Sequence, residues 1–157
     1  MRNSFSPPRI VWLAALLLAA GCSETGPPPA GYVADSLGPH DGLLVPLPKD
    51  KGFGEILSRP LPKATAKADA TMVVYFLGPD KATPLSPPPS DASLRLKLPG
   101  QDAPADVPLK LQADAKDPSG AALFASTPGL YAMDQLFGDL TVTVDGESAT
   151  IPFEKHR

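Results

Sequence analysis

Residues 39–42 read Pro-His-Asp-Gly, placing His40, one of two histidines in a chain of 157 residues, directly beside Asp41. An imidazole nitrogen can hold a transition metal, and a neighbouring carboxylate can join it or orient it. His40 and Asp41 are therefore the candidate metal ligands, and a divalent transition metal is the one cofactor for which the sequence gives a motive. The pair is incomplete, because a structural zinc takes four ligands. Glu55, His156 or a second chain would have to supply the rest. The same four residues also spell a turn ahead of an apolar run. Proline fixes one dihedral, aspartate bonds local backbone, and glycine accepts positive φ.

Other chemistry is sparse. No serine lies in a G-x-S-x-G elbow, and there is no H-E-x-x-H, EF-hand or phosphate-binding glycine loop. Asp114 and Asp117 fall in polar loops, where carboxylates are expected to be solvated. Tyr75 and Phe76 read as core and sheet-face residues, and Met72 and Met133 as packing residues in apolar runs. No catalytic residue is assigned, and the expectation is that the protein is not an enzyme. The formal net charge is -3, without a basic block after the N-terminal segment. That excludes a nucleic-acid footprint and gives no attraction to an anionic lipid surface.

The N-terminus carries Arg2 and Arg9, then the eleven apolar residues Ile10–Ala20, then Gly21 and the chain's single cysteine, Cys22. Eleven residues are too few to span a bilayer, which needs about twenty, but they suit a signal-peptide core. Leu18-Ala19-Ala20-Gly21-Cys22 resembles the lipobox of bacterial lipoproteins, with Ala19 where Leu is usual. The resemblance implies cleavage between Gly21 and Cys22 and lipidation of Cys22. Two or three acyl chains make a stable anchor where one does not. With Cys22 so used, no second cysteine exists for a disulfide. Ser23, rather than Asp, follows the cysteine, which by analogy with lipoprotein sorting implies the outer membrane, facing the periplasm.

These features imply three regions: a signal peptide (1–21), a lipidated cysteine with a flexible Pro-rich tether (22–31), and a folded domain (32–157). The tether contains Pro27-Pro28-Pro29 and has polyproline II character. Proline numbers 21 in all, roughly two and a half times average usage, which disfavours helices and interior strands alike.

Between the proline clusters lie strand-like runs. Leu43–Val45 and Phe53–Leu57 are short candidates, separated from the next by a polar connection over 59–70. Thr71–Leu77 is apolar on both faces and reads as the most buried strand. Ser93–Leu98 alternates, and Val107, Leu109 and Leu111 repeat the alternation, suggesting a hairpin in which Pro108 marks an edge or bulge. Ala121–Ser126 is a further strand with Leu123 or Phe124 inward, while Leu130–Phe137 fits two helical turns. Leu140, Val142 and Val144 alternate up to Asp145-Gly146, and Ala149, Ile151 and Phe153 return, a strong hairpin signal. About eight short strands with one-sided burial predict an all-β fold: a small antiparallel β-sandwich, immunoglobulin-like, with a small β-barrel as the alternative.

The order of these features resembles a group of planctomycete-type bacterial envelope lipoproteins, and a similar module beside the periplasmic adaptors of heavy-metal efflux systems. The matching residues are Pro39-His40-Asp41-Gly42, Val74-Tyr75-Phe76-Leu77 with Asp80, Pro84 and Leu85, then Asp117-Pro118-Ser119-Gly120, Phe124 and Asp145-Gly146. Asp41 stands where that group has glycine, and Gly54-Glu55 occupies the region where a second histidine is often found. The resemblance implies a lipid-anchored envelope protein with a non-enzymatic binding or accessory module, in metal handling or efflux. Its partners would be the membrane, through the anchor, and an envelope protein or efflux component. The alternative is a structural or assembly protein of the envelope with no small ligand.

Overall fold

The computed structural model describes residues 37–61, 69–98, 100–113, 117–131 and 136–155. Gly21, Cys22, the tether, Asp114, Met133 and His156 lie outside them. Ten strands follow in order: β1 (Leu43–Pro46), β2 (Phe53–Pro60), β3 (Asp69–Leu77), β4 (Asp91–Leu96), β5 (Ala105–Pro108), β6 (Lys110–Leu111), β7 (Ala122–Ala125), β8 (Gly129–Leu130), β9 (Leu136–Val144) and β10 (Glu147–Lys155). They form two antiparallel sheets. The first has the order β1-β2-β3-β7-β6, with β8 also on β3; the second is β10-β9-β4-β5. Neither sheet closes on itself, so the architecture is the sandwich and not the barrel. The likeness to immunoglobulin domains lies in two antiparallel sheets face to face; the connectivity begins as a β1-β2-β3 meander within one sheet.

The core follows from register. Leu43, Ile56, Val74 and Phe124 stand in one cross-strand row and face Leu94, Leu96, Leu140, Val142 and Phe153 of the second sheet in a single apolar cluster. Phe76 and Phe124 meet edge to face, with centroids 5.4 Å apart, the arrangement their ring quadrupoles prefer. Strand β3 is buried on both sides, as its continuous apolar run predicts. Val73, Tyr75 and Leu77 form a second cluster with Leu44 and Ala121 on the outer face of the first sheet.

The closing hairpin is as expected. Val144 pairs with Glu147, and Asp145 and Gly146 both take positive φ (54° and 78°), which a two-residue turn between twisted strands requires.

Three expectations are corrected. Leu130–Phe137 is not helical where described: Leu130 pairs with Asp69 in β8, and Leu136 and Phe137 begin β9. The spacing of Leu130, Met133 and Phe137 fits a helix, but so short a run yields to the pairing each sheet offers. Val107, Leu109 and Leu111 are not one strand. Strand β5 pairs with β4 and ends at Pro108, and the chain then crosses to β6 in the first sheet. The connection over 59–70 is also shorter than expected, because Arg59–Pro60 and Asp69–Ala70 extend β2 and β3 and pair with each other.

Candidate functional site

Glu55 lies midway along β2, directly opposite Leu44 of β1 and Tyr75 of β3. Alternation points it to the outer face, yet it is fully buried. An unpaired carboxylate there would be costly, and the turn before β1 supplies its partners. Glu55 Oε1 accepts hydrogen bonds from the backbone N–H groups of His40 (2.7 Å) and Gly42 (2.9 Å), while Oε2 lies 2.7 Å from His40 Nδ1. Two glycines let the backbone close over the acid. A Cβ on Gly38 would fall on the Glu55 carboxyl group, and one on Gly42 would lie 2.6 Å from Glu55 Cγ and 2.7 Å from Leu57 Cδ1.

The turn itself is as the sequence suggests, with Asp41 N–H donating to Gly38 C=O at 3.0 Å. The residue in the left-handed region is Asp41 (φ 63°) rather than Gly42, a conformation that aspartate tolerates better than most residues.

The other edge of the imidazole meets a residue far away in sequence. His40 Nε2 is 3.0 Å from Asp117 Oδ1, and the Asp117 side chain is only 2% exposed. This corrects the expectation of a solvated loop carboxylate. Asp117 Oδ2 accepts from Ser119 N–H at 3.0 Å and from the Ser119 hydroxyl. Beneath the ring lies Tyr75, stacked on His40 with centroids 3.9 Å apart and planes 10° from parallel. The Tyr75 hydroxyl accepts a hydrogen bond from Arg59 Nη2.

A neutral imidazole has one donor and one acceptor nitrogen. Both nitrogens here face carboxylate oxygens, which accept only, so the arrangement is complete with the imidazolium ion. Burial opposes a charge on His40, but the hydrogen bonds and negative charge of Glu55 and Asp117 outweigh it and raise the imidazole above its ordinary value. For Asp117, burial pushes the carboxyl up, and the hydrogen bonds from Ser119 and His40 with the charge of His40 bring it below the usual range. Burial also raises the Tyr75 phenol, partly offset by Arg59.

Of the residues singled out in the sequence, His40 and Glu55 come together, while Asp41 is exposed and makes none of the contacts to the ring. Among the described residues no group of three or more His, Cys, Asp or Glu converges on a point where a metal would sit. The two carboxylates flank opposite edges of the ring, and a metal on either nitrogen would first displace one of them. Nor is this a nucleophile–base pair, since the Ser119 hydroxyl donates to Asp117 and not to the imidazole.

Asp117, Tyr75 and Arg59 were missed as site residues. The charged residue inside the apolar β2 run and the glycines four apart around His40 are signals for Glu55 alone. A separate cleft of about 190 Å³ lies at one end of the sandwich, walled by Leu47, Val142 and Val144. Lys49 and Glu147 of its wall form an ion pair (2.6 Å), and Lys51, also of its wall, pairs with Asp145 (2.7 Å).

No protein-family model, curated protein or solved structure matches the chain. Among the described residues no helix is long and apolar enough to cross a membrane.

Proposed function

We propose that the chain is a lipid-anchored bacterial envelope protein whose β-sandwich acts as a non-enzymatic binding or accessory module. The observation that carries this reading is the position of Cys22, the only cysteine, immediately after Leu18-Ala19-Ala20-Gly21 and an eleven-residue apolar run. Multiple acyl chains there would hold the domain at the membrane, with outer-membrane residence facing the periplasm following from Ser23. In a bacterial host fed a labelled fatty acid, the wild-type chain takes up label and loses residues 1–21. Cys22→Ser takes up none and keeps the precursor mass. A labelled Cys22→Ser chain defeats the reading.

Two roles for the module differ in one respect. In metal handling or efflux, a divalent transition ion would bind at His40; in structural or assembly work, no small ligand is involved. The engagement of both ring nitrogens by Glu55 and Asp117 favours the second, with an envelope protein as the partner. Calorimetric titration with copper, zinc and nickel separates them. Heat of binding that disappears in His40→Ala supports the metal role, and none in either chain supports the structural one.

A further inference from the structure

The site described above lies at the N-terminal end of the described residues, just ahead of β1. Fifteen positions separate Cys22 from Leu37, a span of at most about 50 Å when extended. Tension arriving from the N-terminal side therefore meets residues 37–42 before it reaches β1. The first strand it would then meet is a weak one to pull on. Strand β1 is four residues long and sits at the edge of its sheet, paired only with β2 apart from an isolated bridge from Leu37 to Leu43. An edge strand drawn from its end opens one hydrogen bond at a time.

Upstream of β1, the turn is fastened quite differently. Glu55 on β2 holds two of its N–H groups and one ring nitrogen. The ring lies flat on Tyr75 of β3. Its far nitrogen reaches Asp117, 77 positions on, in the segment leading into β7. The fastening thus reaches β2, β3 and the loop that precedes β7, the neighbour of β3 in the sheet. Gly38 and Gly42 leave just enough room for this closure.

We infer that the Glu55–His40–Asp117 bridge is the mechanical end of the tether, a clasp that spreads tension from the lipid anchor over the whole first sheet and keeps β1 from peeling. The inference rests on the lipid-anchor reading of Cys22, since only an anchored chain is pulled at this point. The domain then stays folded while its partner and the membrane move relative to each other.

Single-molecule stretching of the full-length, unlipidated chain in mild detergent tests this, gripped at the free thiol of Cys22 and at a C-terminal tag. The wild-type chain is expected to show no release before the domain ruptures as a unit. His40→Ala is expected to add an early, low-force step lengthening the chain by at most about 30 Å, the extent of residues 37–46 drawn straight before the length they already span is subtracted. Asp117→Asn, which leaves Glu55 and its backbone donors in place, is expected to show the same step at an intermediate force and decides the matter if His40→Ala does not fold. Variants that rupture as the wild type does, or a wild-type chain that itself releases this segment first, overturn the clasp. Fatty-acid labelling of Cys22 reports on the anchor separately, so the two readings fail independently.

Discussion

An imidazole held between two acids is stabilised only while it carries its proton, and the sign of the pH dependence follows. The folded value of His40 lies above the ordinary 6.5. Its contribution is complete below that ordinary value and is lost as pH rises through the raised one. Asp117, held below its ordinary 3.8, contributes above that value and loses its contribution as pH falls through the depressed one. Tyr75 is raised above 10.0, so its loss begins only in stronger alkali. Melting temperature should therefore hold level between the acid and neutral ranges, then fall in two stages as pH rises. His40→Ala should abolish the first alkaline stage and leave the second. Because it strands two buried carboxylates, it should also cost about 3–5 kcal/mol at pH 6, measured by urea unfolding. A variant with wild-type stability at that pH would mean that the acids do not depend on the ring.

His40 stood out in the sequence because histidine is rare here, and Glu55 was named only as a residue that could complete its ligand set. Asp117 did not, because its partner is 77 positions away and nothing in local spacing encodes that contact. The position in β2 where the resemblance led one to look for a second histidine carries the acid that meets the first one.

At the scale of elements, alternation was legible wherever one face meets the core and the other meets solvent. The β9–β10 hairpin, β3 and the β4–β5 pairing all appear at their expected places. What could not be read was which sheet receives a short segment. Lys110–Leu111 continues the alternation of β5 but leaves its sheet after Pro108, and the 130–137 run joins strands because β3 and β10 offer partners that local propensity does not foresee. This yields a contrast between two residues that face each other across one register, Leu111 and Phe124. Phe124 is 2% exposed and packs on Phe76, whereas Leu111 is 51% exposed at the sheet edge. Phe124→Ala should cost about 3–5 kcal/mol, and Leu111→Ala no more than about 0.5 kcal/mol, by chemical denaturation. Comparable costs would mean that the chain does not cross between sheets at Pro108.

For the whole molecule, one core is shared by both sheets: β1, β2, β3 and β7 from one side and β4, β5, β9 and β10 from the other contribute to a single apolar cluster. Such an arrangement gives neither sheet a reason to persist alone, so the domain should unfold in one cooperative step. The chain's only tryptophan, Trp12, belongs to the N-terminal apolar run, which leaves tyrosine as the aromatic reporter of residues 32–157. Tyr75 sits under the clasp and inside the second apolar cluster, so its near-ultraviolet dichroism should vanish at the same denaturant concentration as the far-ultraviolet strand signal. Among the described residues, the core and the clasp are complete in their hydrogen bonds and packing. A fragment of residues 32–157 should therefore melt within a degree or two of the full-length chain in detergent. An early loss of the tyrosine signal would show that the outer face and its clasp open before the sandwich does. A large drop in the fragment's midpoint would instead mean that the anchor segment packs on the domain, and the tether would then be part of the fold rather than a spacer.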